Sequence, residues 1–357
     1  MTDNIGIRHM RPNDSQALMA LEDETADGGM VSFLTRYKYD YYPVQQALRP
    51  NLVGLVAESS ASAGLVGVGM MSFGECQFDG EVRPYGYLGG LGVHQDFRRR
   101  GIATAIVAEL LAIAEERFGP DRVIFARIQA GNEASLRANM KWANQLIRDR
   151  ERFAISKMLD RLPKGVDGIS VRLAGENEYK TIAHLQNAFY RKANLYPPKT
   201  SQQLREWVAK RPFGEEINRY YVAVDQREQN EQIVAGVGVT LEGCLMTTHV
   251  VRMPWLMKAA NAIFRRLPAG NETKRMNGHW LWYKEGYEEA CDYLWTSVKW
   301  LERKQANLAW CSFDSEGPLG EAISLPRFPP TTGGYIVINS SPALRDDCVL
   351  YFNTMMT

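Results

Sequence analysis

The sequence predicts an α+β fold (mixed α/β) in which two similar domains follow one another along the chain. The 357 residues, 45% of them apolar, are enough to bury two hydrophobic cores of ordinary size. Residues 5–8 (IGIR) resemble residues 169–172 (ISVR) at an offset of 164, and a polar turn and a helix-like stretch follow each. A hairpin pattern within 54–69 also recurs within 221–238. These repeats indicate an internal duplication.

The elements of the first domain follow from changes in apolar periodicity. Alternating or continuous apolar runs predict strands, and apolar residues that recur every three or four positions predict helices. We expect strands at 5–8, 53–58, 64–74, 84–93, 123–128 and 152–159, and helices within 13–50, over 105–118 and over 132–142.

The linker between the domains is rich in proline and glycine and covers residues 162–168 (LPKGVDG). We therefore expect an N-terminal domain over 1–162 and a C-terminal domain over 163–357. Residues 246–278 have the character of an insertion that carries an amphipathic helix over 255–266. Its basic residues could touch an acidic surface or a membrane. The favoured interpretation is a solvated helix whose apolar side packs on its own domain.

The most informative stretch is LGVHQDFRRRGIAT, residues 91–104, because it reads as a strand, a basic glycine turn and the start of a helix. Gly101 lets the backbone approach a ligand closely, and the small Ala103 and Thr104 leave the first helical turn unobstructed. The unpaired amides of that turn, the positive end of the helix dipole and three arginines would together bind a polyanion such as a pyrophosphate. A Rossmann or P-loop glycine pattern does not fit here.

Residues 98–103 fit the pattern R/Q-x-x-G-x-G/A between an apolar strand and an apolar helix, and this combination resembles motif A of the GNAT superfamily of acyl-coenzyme A-dependent N-acyltransferases. The resemblance implies two tandem GNAT-like domains, each a mixed, mostly antiparallel sheet flanked by helices. It implies transfer of an acyl group, usually acetyl, from acetyl-CoA as co-substrate to an amine of a small molecule or peptide. The residues that it places at the coenzyme are Leu91, Gly92, Val93, Arg98, Arg99, Arg100, Gly101, Ile102, Ala103, Thr104, Asn132 and Ser135.

Two of these residues have a second interpretation. Asn132 and Ser135 stand where family members carry N-x-x-S/A, so the resemblance places Asn132 on the pantetheine or pyrophosphate and Ser135 near the coenzyme. Asn132 also fits a plain helix N-cap, and a cap can bind a ligand as well.

The catalytic residues are not assigned by the sequence, because it departs from the family pattern where they are expected. Asn139 replaces the tyrosine that commonly protonates the thiolate, and an asparagine amide cannot supply a proton at neutral pH. Tyr87 takes the place of a glutamate that serves some members as general base. With Tyr85 and Gly89 it is expected to face the same side of the strand as Leu91 and Val93, as a pocket wall.

Other candidates near the site have ordinary interpretations too. Glu22, Asp23 and Glu24 could attract an amine, although a solvated acidic face is the favoured interpretation. His94 is a loop residue without an expected proton-transfer role. A water chain to solvent would then take the proton from the amine. The alternative function is a non-catalytic sensor or scaffold module that binds CoA or acyl-CoA.

The C-terminal half lacks the basic glycine turn, because the strand over 279–283 runs through Lys284-Glu285-Gly286 directly into a helix over 287–303. We expect a degenerate copy that shapes or covers the substrate cleft, or mediates dimerisation to a homodimer. The tryptophans of this half have spacings that suit core packing: Trp280, Trp282, Trp295 and Trp300.

Composition bears on the expected partners, metal sites and cellular location of the protein. Forty-two basic residues against 41 acidic ones provide no global field for nucleic acid or a lipid surface, so neither is an expected partner. Five dispersed cysteines without a C-x-x-C pair predict reduced thiols in a cytoplasmic protein and no metal site. The N-terminus has no signal-peptide pattern, and no apolar run approaches the length of a membrane span.

Overall fold

The computed structural model of the chain describes residues 4–25, 32–49, 51–62, 64–148, 150–227, 231–264, 272–324, 334–345 and 348–352. The elements of the first half are β1 (Ile5–His9), α1 (Ser15–Glu24), β2 (Ser32–Tyr37), α2 (Tyr41–Leu48), β3 (Leu52–Ser59), β4 (Leu65–Phe78), β5 (Glu81–Val93), α3 (Ile102–Phe118), β6 (Val123–Gln129), α4 (Glu133–Asn139), β7 (Gln145–Arg148) and β8 (Glu151–Lys157).

The second half repeats this order and adds an insertion. Its elements are β9 (Ile169–Leu173), α5 (Tyr179–Phe189), β10 (Ala193–Asn194), α6 (Ser201–Ala209), β11 (Asn218–Asp225), β12 (Gln232–Leu241), β13 (Met246–Arg252), α7 (Trp255–Phe264), β14 (Glu272–Thr273), β15 (Arg275–Tyr283), α8 (Glu288–Leu301), β16 (Leu308–Asp314), α9 (Leu319–Ala322), β17 (Gly334–Asn339) and β18 (Val349–Leu350).

Two large sheets organise the described residues. The first has the strand order β1-β3-β4-β5-β6-β17-β7, and the second has the order β9-β11-β12-β15-β16-β8. Within the first sheet the parallel pair is β5 with β6, and within the second it is β15 with β16; the other paired strands are antiparallel. The expected pair of mixed, mostly antiparallel sheets flanked by helices is therefore confirmed.

The two sheets exchange a strand across the linker. β8, which precedes the linker, pairs with β16 in the second sheet, from Glu151 opposite Asp314 to Lys157 opposite Leu308. In return β17, near the end of the chain, lies between β6 and β7 in the first sheet. A boundary at 162/163 thus divides the sequence but not the sheets. The assignment of functions to 1–162 and 163–357 stays a prediction.

The duplication is also visible in side chains. The Arg8 guanidinium donates two hydrogen bonds to the Asp14 carboxylate, at 2.7 and 2.8 Å. At an offset of 164, the Arg172 guanidinium donates two to Glu178, at 2.8 and 2.7 Å. In each half this carboxylate also accepts the backbone N–H three residues before it. The same clasp therefore joins the first strand of each half to the turn before its first helix.

Helices cover both faces of each sheet. In the first half α3 packs its buried residues, among them Ile106 and Leu110, on one face, whereas α1 and α2 cover the other. In the second half Trp280, Trp282 and Trp295 are at most 1% exposed, which confirms the core interpretation for these three. A small sheet, β14-β13-β2, joins the halves. Its strand β2 was not predicted.

The inserted helix α7 begins with two exposed apolar side chains, and the packing of its apolar side on its own domain stays a prediction. Trp255 is 74% exposed and Leu256 is 63% exposed, so neither side chain packs on the domain that carries it. The predicted end of this helix, Arg265 and Arg266, lies outside the described residues. Within the described part of the chain, no helix is long and apolar enough to cross a membrane.

Candidate active site

The basic turn forms a rigid loop between β5 and α3. Phe97 is buried and anchors the loop, and the Arg100 guanidinium lies 4.8 Å from the centre of its ring. The Arg98 Nε donates to the Val93 carbonyl at 3.1 Å. Gly101 caps α3 with φ +83°, a conformation that glycine adopts without strain, and a Cβ at this position would meet nothing within 4 Å. The backbone is therefore open to a ligand at the head of the helix.

The electrostatics of this helix end suit an anion. The first turn of α3 contains no acidic residue, and Arg98, Arg99 and Arg100 are all exposed beside it. The free amides and the helix dipole then act in the same direction as the three charges. The structure thus brings the predicted loop residues together in an arrangement that fits a pyrophosphate.

The matching position of the second half keeps the backbone but reverses the charge. Gly286 has φ +81°, close to the value at Gly101, and a Cβ there would likewise meet nothing within 4 Å. Glu288 and Glu289, however, occupy the first turn of α8. Two carboxylates at a helix N-terminus satisfy the dipole and repel a phosphate. That the second half does not bind the coenzyme stays a prediction.

A cleft opens beside the loop because β5 and β6 separate. Their parallel pairing runs from Tyr85 opposite Val123 to Leu88 opposite Ala126 and ends there, although β5 continues to Val93 and β6 to Gln129. Beyond Leu88 the backbone groups of β5 that face β6 have no strand partner. An extended amide chain such as a pantetheine arm could pair with them as an added strand.

The expectation that Tyr85 and Tyr87 face the same side of β5 as Leu91 and Val93 is wrong. Tyr85 and Tyr87 pack with Phe125 on the α1 side of the sheet, whereas Leu91 and Val93 pack on the α3 side. Gly90 has φ +60°, and the register with β4 shifts at this point. A bulge adds one residue and so reverses the side to which all later residues point. Tyr87 is buried at 9% exposure and forms a wall of the α1 side, as expected of it.

The residues of α4 are structural in this geometry. Asn132 caps the helix, its Oδ1 accepting the Ser135 N–H at 3.1 Å. Asn139 is 3% exposed; its amide donates to the Ser135 carbonyl at 2.8 Å, and its Oδ1 accepts the Trp142 indole N–H at 3.1 Å. Asn139 is thus tied to its own turn. A contact of Asn132 or Ser135 with the coenzyme stays a prediction.

The acidic end of α1 is not a plain solvated face. Asp23 pairs with Arg36 at 2.7 Å, and Glu24 pairs with His94, which connects α1 to the basic loop. Glu22 points inward and accepts the Tyr37 hydroxyl at 3.4 Å. Burial, and then the charge of Glu22, raise the pKa of Tyr37. Glu22 is therefore the inward-facing carboxylate of this helix end, on the α1 side of the sheet.

A buried ion pair that sequence reasoning missed stands where β5 and β6 separate. Arg127 follows the last paired residue of β6, and its Nε donates to the Glu151 carboxylate at 3.2 Å. Their side chains are 14% and 5% exposed. Burial raises the pKa of the Glu151 carboxyl, and the Arg127 guanidinium opposes that rise. Because Glu151 belongs to β8, this pair fastens the exchanged strand to the cleft wall.

The second half has its own separation of parallel strands, since the pairing of β15 with β16 ends at Gly278 opposite Cys311. A cavity of about 320 Å³ lies beside it. Aromatic and aliphatic side chains line most of it, including Phe189, Phe313 and Leu350. It is not at the basic loop. All five cysteines are free thiols, and burial raises the pKa of Cys76 to about 12.

No curated protein sequence matches this chain. Residues 18–139 match the family model described as "Acetyltransferase (GNAT) family". Among solved structures, N-myristoyltransferase of Saccharomyces cerevisiae with bound myristoyl-CoA is 9% identical with a TM-score of 0.60, over 95% of this chain and 79% of that one. A tandem GNAT protein from the clavulanic acid biosynthesis pathway is 14% identical with a TM-score of 0.58, over 95% and 100%. A GCN5-related N-acetyltransferase of Kribbella flavida is 12% identical with a TM-score of 0.51, over 94% and 71%.

The sheet topology and the comparisons together define a GNAT-like fold that occurs twice in one chain. Residues 18–139 match the GNAT family model, and the whole chain shares its fold with solved structures that include a tandem GNAT protein. Among the described residues there is no group of three or more histidine, cysteine or acidic side chains that could hold a metal ion.

Proposed function

We propose that this protein transfers an acyl group, acetyl in the first instance, from acyl-CoA bound in the N-terminal half to an amine. The observation that carries the proposal is the open, acid-free head of α3 at Gly101, next to β5, whose edge toward β6 has no strand partner beyond Leu88. The two features suit the two ends of a coenzyme A molecule, its pyrophosphate and its pantetheine arm.

The chain's own residues would act as follows. Amides from Arg99 to Thr104 hold the pyrophosphate, and the exposed arginines neutralise phosphate charge. Backbone N–H groups of β5 near Val93 hold the carbonyl end of the arm and stabilise negative charge on the thioester oxygen. The amine nitrogen forms a bond to the thioester carbon, the carbon–sulfur bond breaks, and the thiolate leaves as coenzyme A.

The acceptor amine would lie on the α1 side, opposite α3. Glu22 offers a carboxylate to an ammonium group there, and Tyr37 and Tyr41 provide aromatic walls. The second half limits the same region, because β13 pairs with β2 from Met246 opposite Tyr37 to Arg252 opposite Ser32. The acceptor site therefore involves both halves, which suits a small molecule or a short peptide.

Proton transfer is the step that distinguishes an acyltransferase from a module that binds CoA without turnover. The amine must lose a proton and the leaving thiolate must gain one. The family position for the acid that protonates the thiolate holds Asn139, whose amide is bonded to Ser135 and Trp142. In the enzyme, water carries the proton away, and orientation supplies much of the acceleration. The same observation favours the second candidate, a CoA-binding sensor or scaffold without turnover.

The test is release of free thiol from acetyl-CoA over a panel of amino acids, peptides, polyamines and aminoglycosides. Gly101→Glu serves as the inactive reference, and Gly286→Glu is its matched control in the second half. Thiol release that needs both the amine and Gly101 supports the enzyme. Tight coenzyme binding without release on any amine supports the sensor. Replacing acetyl-CoA by myristoyl-CoA in the same assay determines the acyl length.

A further inference from the structure

The half-buried side chain of Arg49 is unexplained by the fold. It follows α2 directly, and its Nη1 lies 3.7 Å from the position of a Cβ on Gly89, the first residue of β5 beyond the paired segment. Its Nε is buried and has no hydrogen-bond partner among the described residues. A guanidinium has five donors and no means of losing its charge, so burying one without acceptors is costly. Such a group indicates a ligand.

The Glu242 carboxylate provides negative charge near Arg49 without accepting a hydrogen bond from it. Glu242 is 1% exposed and is bound by Arg275 at 2.9 Å and by the Asn277 amide. Burial raises the pKa of the Glu242 carboxyl, and the charges of Arg275 and Arg49 oppose that rise. Arg49 is thus held near a carboxylate whose Oε1 accepts from Asn277, while its Oε2 forms the ion pair with Arg275 and has no hydrogen-bond partner among the described residues. The Nη1 of Arg49 lies beside Gly89, where a ligand in the cleft would meet it.

Tyr41 connects Arg49 to Glu22. Its hydroxyl is buried, which raises its pKa; the charge of Glu22 raises the pKa further and that of Arg49 lowers it. A carboxylate and a guanidinium therefore act on one buried hydroxyl from positions on the α1 side of the sheet. Arg49 lies beside Gly89, and Glu22 acts on the same buried hydroxyl as Arg49, so an anion-binding and a cation-binding group share the α1 side of the sheet.

Resting on the acyl transfer proposed above, we infer that the acceptor is a zwitterionic amine of the amino-acid class, whose carboxylate is bound by Arg49 while Glu22 receives its ammonium group. The acceptor carboxylate supplies the acceptors that the guanidinium lacks. Binding at both ends also orients the nitrogen toward the thioester carbon. Polyamines and aminoglycosides, which have no carboxylate, are then poor acceptors.

The test measures product binding, which does not depend on turnover. N-acetylated amino acids, from small to aromatic, and the matching N-acetylated amino-acid amides are titrated into the full chain by calorimetry, with and without coenzyme A. The acids are expected to bind the wild type about 10- to 100-fold more tightly than the amides, as a charge-assisted hydrogen bond requires. Arg49→Gln abolishes that ratio. Arg36→Gln, an exposed arginine paired with Asp23, retains it.

Stability distinguishes ligand binding from a structural role. Because the buried Nε of Arg49 has no hydrogen bond to lose and its charge acts on Glu242 from a distance, Arg49→Gln is expected to lower the melting temperature by no more than about 4 °C. A larger fall in melting temperature overturns the inference. So do acids and amides that bind equally, an unchanged ratio in Arg49→Gln, and the absence of binding by every acid tested. If coenzyme A fails to bind while the acids still depend on Arg49, the proposed function fails and the anion site stands.

Discussion

Replacing Gly101 by glutamate tests the coenzyme loop directly. A glutamate at φ +83° is strained by about 1–3 kcal/mol, but its Cβ meets no atom within 4 Å, so the protein is expected to remain folded. Its carboxylate would stand at the head of α3, where the pyrophosphate is expected. Two unit charges about 4 Å apart at an effective dielectric constant of about 20 interact by about 4 kcal/mol.

Solvent screening at this exposed site reduces the repulsion to about 2–4 kcal/mol, which corresponds to a loss of about 30- to 1000-fold in affinity for coenzyme A. Calorimetric titration with coenzyme A measures the loss, and thermal unfolding measures the strain. Gly286→Glu places the same residue at φ +81° with equal space, so it should cost the same stability and leave coenzyme affinity unchanged.

Three outcomes would refute the reasoning. Affinity of Gly101→Glu within threefold of wild type would mean that the pyrophosphate is elsewhere. An equal loss of affinity in Gly286→Glu would show that strain, not charge at the loop, weakens binding. Two coenzymes bound per chain would contradict the degenerate second half, whose helix α8 begins with Glu288 and Glu289.

Three further predictions concern the acceptor, the fold and pH. Glu22→Gln is expected to raise KM for the amine at least tenfold and to leave coenzyme affinity unchanged, whereas Asp23→Asn changes neither. Steady-state kinetics measures KM, and calorimetry measures coenzyme affinity. Equal effects of the two substitutions would remove Glu22 from the acceptor site. A fragment ending at residue 162 lacks β17 and should be unfolded by circular dichroism, and a separately supplied 163–357 fragment should restore structure; an independently folded 1–162 would contradict the strand exchange. Hydrogen bonds from Arg8 hold the pKa of the Asp14 carboxyl below its usual value in the folded protein. The ion pair of Arg8 and Asp14 therefore contributes its full stabilisation above the unfolded pKa of about 3.9, and this contribution is lost as pH falls through the lower folded pKa. Urea unfolding of Asp14→Asn between pH 3 and 7 should therefore show a shallower loss toward acid than wild type, and identical slopes would exclude the clasp as the cause.

Local patterns predicted most strands and helices, because each is encoded within its own residues. The loop from His94 to Thr104 is of this kind: strand, arginines, glycine and helix are consecutive, so sequence reasoning could place all of them together. The core tryptophans were predicted for the same reason, since their spacing on one strand or helix face is a local property.

Features that depend on distant residues were not predicted. Strand β17 has a short apolar run typical of any buried strand, and only its pairing with β6 and β7 shows that it belongs to the first sheet. Arg49 and Glu242 lie in different halves, so nothing local relates them. The bulge at Gly90 did leave a signal, because paired glycines within a strand indicate irregular backbone. Its consequence for Leu91 and Val93 was missed because strict alternation was assumed.

The exchanged strands tie the second half to the cleft of the first half. β8 enters the second sheet beside β16, and its first residue, Glu151, pairs with Arg127 at the point where β5 and β6 separate. The next contact in the same direction is Arg150 with Asp314, at 3.2 Å from Nε to Oδ1. The cleft between β5 and β6 is therefore fastened through two buried ion pairs to a strand of the second sheet. A substitution that unfolds the second sheet would displace Glu151 and leave Arg127 buried without its carboxylate, at a cost of about 3–5 kcal/mol. Loss of anion binding at α8 carries no such penalty, because Glu288 and Glu289 satisfy that helix end by themselves.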